Sequence, residues 1–267
     1  MNRLKDKVAI VTGSTSGIGI GIARLYAAEG AMVIVCGRRA EKGQKVVDAI
    51  QAEGGRAQFH ALDITDTGSI EKLVADVADE FGRIDILVNN AANVALKDGR
   101  IDELTIEMWD AIFQSDLRGT FYMTKCVLPH MRQAKRGGSI INIGSMASCG
   151  GDLGSSAYAS AKAGVDMLTL SVALQYGKDN VRCNCVRPGL IVTPENEANV
   201  PQALKDIFLS NIMVNRYGCP EDIGYACVYL GSDESAYVSG QIINIDGGLN
   251  SHAPTVAQFR AMGSRTW

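Results

Sequence analysis

Tyr158 and Lys162 stand four residues apart in Tyr158-Ala159-Ser160-Ala161-Lys162, and Ser145 lies thirteen positions upstream at the end of an apolar, strand-like run. On a helix, residues at i and i+4 share one face, so this spacing puts an ammonium beside a phenolic oxygen. A free phenol releases its proton near pH ~10, too high for ready exchange at neutrality. A unit positive charge ~4 Å away, at an effective dielectric of ~20, favours the ionised form by about 4 kcal/mol. Burial takes part of that back. The chemistry on offer is proton donation and abstraction by a tyrosine. An isolated Tyr-x-x-x-Lys is usually just a helix residue and a surface charge, so the surrounding elements decide the matter.

The stretch Lys7-Val8-Ala9-Ile10-Val11-Thr12-Gly13-Ser14-Thr15-Ser16-Gly17-Ile18-Gly19 is a short β-branched run passing directly into a glycine-rich turn. A helical pattern follows through Ala23, Leu25, Tyr26 and Ala28. Strand, glycine turn and helix in that order aim backbone N–H groups at a phosphate, with glycines allowing close approach. Ala31 to Cys36 supplies a second buried strand, which completes a β-α-β unit with a right-handed crossover. Further along, apolar runs near 57–62, 84–89, 138–144, 181–187 and 241–245 alternate with helical patterns such as 17–29, 40–53, 69–81 and 109–131. That alternation predicts an α/β fold, a doubly wound sheet of about seven parallel strands with helices on both faces. No repeat, linker or low-complexity stretch interrupts it, so residues 1–267 read as a single domain. In such sheets ligands bind beyond the carboxyl ends of the strands. Gly13, Asn89, Ser145 and Pro188 all fall at or just after predicted strand ends.

These motifs resemble those of the short-chain dehydrogenase/reductase family, and the likeness runs from about Lys7 to Gly248. The family's Thr-Gly-x-x-x-Gly-x-Gly turn corresponds to Thr12, Gly13, Gly17 and Gly19, and its adenine-side aspartate to Asp63 in Leu62-Asp63-Ile64. Its Asn-Asn-Ala-Gly stretch is similar to Asn89-Asn90-Ala91-Ala92. Its Ser/Tyr/Lys set matches Ser145, Tyr158 and Lys162, and its Pro-Gly with a later threonine matches Pro188, Gly189 and Thr193. Ser239-Gly240-Gln241 through Asp246-Gly247-Gly248 completes the pattern. The resemblance implies a Rossmann-type dinucleotide-binding and catalytic domain that moves a hydride between nicotinamide and a secondary alcohol or ketone. It further implies that Tyr158 is the proton donor, that Ser145 hydrogen-bonds the same oxygen, and that Lys162 acts on Tyr158 and holds the nicotinamide ribose. The cofactor site it implies comprises Gly13, Ser14, Thr15, Ser16, Gly17, Ile18 and Gly19 of the turn, with Arg38, Arg39, Asp63, Ile64, Asn89, Asn90 and Ala91. Tyr158, Lys162, Pro188, Gly189, Ile191 and Thr193 complete it, the last reaching the carboxamide.

Two positions depart from the family pattern. Asp116, in Ser115-Asp116-Leu117-Arg118-Gly119, stands where the family has an active-site asparagine. The two side chains have nearly the same shape, but an ionised carboxylate only accepts hydrogen bonds. In the family that residue holds a water through its backbone carbonyl, a role that survives the change, although a buried carboxylate there could also pair with Lys162. Ala92 replaces the last glycine of Asn-Asn-Ala-Gly and is expected to be tolerated.

Cofactor choice turns on the residue after the second strand. An acid there would bind the adenosine ribose hydroxyls, whereas an arginine accommodates a 2′-phosphate. Cys36-Gly37-Arg38-Arg39 has glycine in that place and guanidiniums just beyond, so NADP(H) is expected over NAD(H). The alternative is that Arg38 and Arg39 are a solvated pair at the next helix start.

With 46% apolar and 21% charged residues over 267 positions, the chain has the composition of one sizeable globular α/β domain. A net charge of −3 leaves no footprint for nucleic acid. The absence of an apolar run of spanning length and of a signal peptide gives the expectation of a cytoplasmic protein without a membrane partner. Seven scattered cysteines read as reduced thiols, with Cys149 facing toward the substrate cleft. The three histidines, His60, His130 and His252, show no ligand spacing, so no metal is expected.

Substrate identity is less legible. Residues 190–216 carry apolar positions including Phe208 and Met213, spaced for short amphipathic helices that could close over the cleft as a lid. Such a lid suits a hydrophobic substrate such as a hydroxysteroid, with 3-oxoacyl thioesters and sugars or polyols as alternatives. Residues 249–267, with Phe259, Met262 and Trp267, form a carboxyl-terminal extension that closes the cleft, reaches a neighbouring subunit or frays. The resemblance implies a homotetramer or dimer built on helices near 109–131 and 163–176, the second apolar on more than one face. Two other classes stay open. Dehydration, epimerisation or enoyl reduction on the same fold is disfavoured by the Tyr-Lys separation of four, and a non-catalytic sensor or scaffold by retention of the proton donor.

Overall fold

The computed structural model describes residues 2–92, 98–133, 137–193, 197–198 and 200–263. Trp267 of the extension, and residues 194–196 and 199 of the expected lid, lie outside them.

Seven strands form one all-parallel sheet in the order β3-β2-β1-β4-β5-β6-β7. They are β1 (Val8–Val11), β2 (Met32–Gly37), β3 (Arg56–Ala61), β4 (Ile86–Asn89), β5 (Gly138–Ile143), β6 (Val181–Pro188) and β7 (Ile242–Ile245). The chain runs outward from β1 to β3 and then returns to place β4 on the other side of β1, so strand order reverses between β1 and β4. Ligand crevices of open sheets form at that reversal.

Consecutive strand residues feed opposite faces. Ala9 and Val11 belong to the core under α1 (Gly17–Ala28), α2 (Ala40–Ala52) and α8 (Pro220–Gly231), together with Ile22, Tyr26, Val46 and Val228. Val8 and Ile10 belong to the core under α3 (Thr67–Phe81), α5 (Gly119–Gln133) and α6 (Ser156–Tyr176), together with Leu73, Met123 and Val172. A strand buried on both faces needs apolar residues at every position, which is why Val8–Val11 reads as an unbroken hydrophobic run.

The helix expected over 109–131 is interrupted. Helix α4 (Ile106–Phe113) passes through a π-helical turn (Gln114–Arg118) into α5. One residue in excess of an α-turn rotates everything beyond it by about 100°. Ser115 and Asp116 are both buried in that turn.

The segment after β6 is pinched at its base, where Val192 N–H donates to Gly218 O and Gly218 N–H to Leu190 O, and is tied again where Met213 N–H donates to Gly247 O. Within it, α7 (Gln202–Asn211) buries none of its residues. Its carboxyl end is fixed by polar bonds: Arg260 donates to Ser210 O (2.8 Å) and Ile212 O (2.9 Å), and His252 Nε2 lies 2.5 Å from Asn211 O. Arg260 belongs to α9 (Val256–Ala261), so the carboxyl-terminal extension lies against α7 of its own chain. Among the described residues no helix is long and apolar enough to cross a membrane, and no group of three or more His, Cys, Asp or Glu side chains is arranged to hold a metal ion.

Candidate active site

The carboxyl ends of β1, β4, β5 and β6 open into a cleft of about 560 Å³. Its floor is the glycine turn. Gly13 has φ +64°, and a Cβ there would lie 2.8 Å from Ala91 Cα, while a Cβ on Gly19 would lie 2.5 Å from Gly13 O. Only glycines let the helix start, the turn and the end of β4 approach so closely. Thr12 closes the other side: its Oγ accepts from Asn90 N–H (2.9 Å) and Ala91 N–H (3.0 Å) and donates to Val88 O (3.2 Å). The Asn90 amide donates to Thr12 O (2.9 Å) and Gly13 O (3.2 Å), so the two loops at the strand-order reversal form one rigid unit.

Ser145, Tyr158 and Lys162 line the same cleft as Gly13, Thr15, Ser16, Gly17 and Ile18. Ser145 follows β5 in extended backbone, and its Oγ accepts from Ala147 N–H at 3.1 Å, starting a short 3-10 turn. Tyr158 and Lys162 lie one turn apart on α6, with Lys162 Nζ 5.6 Å from the centroid of the Tyr158 ring. Lys162 is only 3% exposed, and its ammonium donates to Ile143 O at 3.0 Å. A buried cation bonded to a neutral carbonyl retains most of its charge for whatever occupies the cleft. One turn further along α6, Asp166 takes a fork of bonds from Arg187 (Nη2–Oδ2 2.6 Å), which ties α6 to the end of β6.

Arg38, Arg39, Asp63, Ile64, Asn90, Ala91, Pro188, Gly189, Ile191 and Thr193 also line the cleft. Asp63 Oδ1 accepts from Thr65 N–H (2.9 Å) and Thr65 Oγ (2.7 Å); these bonds, and to a lesser degree the charge of Arg38, hold its carboxyl below the usual carboxylate range. Ala92 lines the cleft as well, without the left-handed backbone that would require glycine.

Four residues of the expected site stand behind this lining. Ser14 is fully buried, donates to Val11 O (2.6 Å) and accepts from Cys36 N–H (2.9 Å), stitching the turn to β1 and β2. Gly19 acts through its lack of a side chain. Asn89 points into the core face, where its amide donates to Asn142 Oδ1 (2.9 Å) and Thr124 Oγ (3.1 Å). Asn142 in turn donates to Thr169 (2.9 Å), so a buried polar chain joins β4, β5, α5 and α6 beneath the cleft. Asp116 accepts from Ser115 Oγ at 2.6 Å, while Lys162 takes the Ile143 carbonyl. Cys149 is exposed on the surface, with its sulfur 3.3 Å from Arg187 Nη1.

The sequence reading missed Thr12 as the clamp and Asp98 as a cap. Asp98 accepts from Ala157 N–H and Tyr158 N–H at the start of α6, across a separation of 59 and 60 residues. No local sequence signal marks a partner so distant.

The comparisons agree with this architecture. The family profile described as enoyl-(acyl carrier protein) reductase matches residues 13–250. The 3-oxoacyl-(acyl-carrier-protein) reductase of Thermotoga maritima is 39% identical over 247 residues, covering 92% of this chain and 99% of the relative. The 7α-hydroxysteroid dehydrogenase of Clostridium sardiniense is 38% identical, covering 97% and 99%. A solved 7α-hydroxysteroid dehydrogenase, complexed with NADH and 7-oxo glycochenodeoxycholic acid, superimposes with a TM-score of 0.87 at 32% identity over 92% of this chain and 95% of that one. Strand order, glycine turn and near full-length likeness converge: the chain belongs to the short-chain dehydrogenase/reductase family of oxidoreductases.

Proposed function

We propose that this protein catalyses reversible hydride transfer between NADP(H) and a secondary alcohol or ketone carbon, with Tyr158 as the proton donor and acceptor. The observation that carries the reading is the common cleft: the Tyr158–Lys162 pair and Ser145 line the space into which the glycine turn opens. The residues fit a dinucleotide. Gly13 and Gly19 let the turn close against the end of β4, Gly17 lines the cleft in the left-handed backbone that suits glycine, and the start of α1 presents its N–H groups there. When bound, the nicotinamide ring supplies or takes up the hydride.

In the reducing direction Tyr158 gives its phenolic proton to the substrate oxygen as that oxygen gains negative charge. Ser145 donates a hydrogen bond to the same oxygen. The ammonium of Lys162 stabilises the charge left on the phenol and binds the nicotinamide ribose hydroxyls. Asn90, Ala91 and Asp63 orient the adenosine side, and Thr193 the carboxamide. Asp116 and Asn89 act from behind, through the helix and strand that carry them. Arg38 and Arg39, with Gly37 in place of an acid, favour the 2′-phosphate.

For the substrate we favour a hydrophobic ketone of hydroxysteroid type, on the apolar residues of 190–216 and the hydroxysteroid dehydrogenases among the relatives. The Thermotoga relative keeps a 3-oxoacyl thioester as the second reading. Assembly into a dimer or tetramer through α5 and α6 is supported by Phe121, Met167 and Leu174, apolar side chains that stand exposed among the described residues.

The test is a carbonyl screen, including a 7-oxo bile acid and an acetoacetyl thioester, that follows NADPH absorbance, with Tyr158→Phe as control. Turnover of a ketone that disappears in the variant is expected. Near-normal turnover by Tyr158→Phe would remove Tyr158 from the role.

A further inference from the structure

We propose that Asp98 is a positioning residue for Tyr158: its carboxylate holds the first turn of α6 and so fixes where the phenol stands, an inference that rests on Tyr158 being the proton donor. The first N–H groups of a helix have no intrahelical partner. Ser155, at the N-cap position of α6, makes no side-chain capping bond. Asp98 takes over from outside the helix. Its Oδ2 accepts from the N–H of Tyr158 itself at 2.8 Å, and its Oδ1 from Ala157 N–H at 3.2 Å. Oδ1 also accepts from Gly99 N–H at 2.8 Å, which holds the carboxylate within its own loop.

A half-buried anion at the positive end of a 21-residue helix is in its favoured place, and bonds to an ionised acceptor are the stronger kind. The two chemically active residues of α6 are thereby anchored separately. Lys162 is fixed to β5 through Ile143 O, whereas the backbone of Tyr158 is fixed to the loop after β4 through Asp98. Loss of the carboxylate frees the amino-terminal turn of α6, and the phenol with it, while the Lys162 ammonium stays tied to β5.

The experiment uses full-length Asp98→Ala and Asp98→Asn, assayed with NADPH and whichever of a 7-oxo bile acid or an acetoacetyl thioester the unmodified protein reduces. NADPH sites are counted by fluorescence titration, and kcat is expressed per site. Asp98→Ala is expected to lower kcat per site by roughly 10- to 100-fold, the scale of an ångström-sized misplacement of a reacting group. The Kd for NADPH should stay unchanged and the solvent deuterium isotope effect on kcat should rise. Asp98→Asn, which keeps one acceptor oxygen, should fall between. A loss of NADPH sites with kcat per site intact would reduce Asp98 to a folding role and overturn the proposal, as would an unchanged kcat per site in both variants. Amide hydrogen exchange over residues 156–162, expected to quicken in Asp98→Ala, requires no substrate. An unmodified protein that reduces no carbonyl refutes the functional reading, whereas exchange that stays slow in the variant refutes the anchoring.

Discussion

Replacing Arg38 with alanine should separate the two cofactors. Arg38 and Arg39 are exposed at the tip of β2 and line the cleft, and Arg38 is close enough to Asp63 for its charge to be felt there. A hydrogen bond between charged groups contributes about 1.5–3 kcal/mol, and the exposure of Arg38 favours the lower end. A loss of ~1.5–2 kcal/mol corresponds to about a 10- to 30-fold fall in kcat/KM with NADPH. With NADH, which lacks the 2′-phosphate, kcat/KM should barely move. The same logic works from the opposite side at Gly37. A Cβ there would lie 2.6 Å from Thr15 Cγ2 and 2.7 Å from Thr15 Oγ1, so an introduced acid must displace Thr15 before it can reach a ribose. Gly37→Asp alone should therefore gain less efficiency with NADH than Gly37→Asp combined with Thr15→Ala, which leaves only the Cβ at 3.3 Å. Initial rates over a range of each cofactor decide it. Equal losses with both cofactors in Arg38→Ala, or an unmodified protein more efficient with NADH, would refute the reasoning.

Two further outcomes follow from the segment between β6 and α8. Asp222 accepts from both terminal nitrogens of Arg216 (2.6 and 2.7 Å) and from Cys219 N–H (2.8 Å), and the Arg216 guanidinium holds its carboxyl down to about 2. A depressed folded-state value stabilises above the unfolded value near ~4, and the effect fades as pH falls through the lower one. Asp222→Asn should thus cost about 1–2 kcal/mol at pH 7, after discounting for the exposed arginine, and urea titrations should show the gap closing below pH ~4. A gap that widens there would count against the linkage. Arg260→Ala removes the bonds to Ser210 O and Ile212 O that hold α7, a helix with no buried residue. A loss of ~1 kcal/mol in local stability should speed tryptic cleavage at Lys205 by about fivefold, and an unaltered cleavage rate would show that Arg260 does not restrain α7.

Much of this arrangement was legible because its causes are local. Val8–Val11 announces a doubly covered strand through its unbroken apolar run, and Gly13 and Gly19 mark a turn that only glycine can make. The Tyr158–Lys162 spacing fixes a shared helix face whatever surrounds it. The π-turn at Gln114–Arg118 was not legible, since nothing in Gln-Ser-Asp-Leu-Arg is hostile to an ordinary α-helix. Motif membership also misled about orientation: Ser14 and Asn89 belong to the cofactor motifs, yet their side chains turn inward and brace the loops.

The sequence by itself determined the order of strands and helices, the glycine turn, the phenol–ammonium pair and the lack of an acid after β2, because periodicity, turn chemistry and i, i+4 spacing are settled within a few residues. Only the tertiary structure decided which polar groups face the cleft and which lie behind it. It alone brought Asp98 to the backbone of Tyr158, Thr12 to the end of β4, and Arg260 to α7. Those bonds join residues tens of positions apart, and a donor finds such a partner only after the sheet has assembled and the helices have settled on its faces.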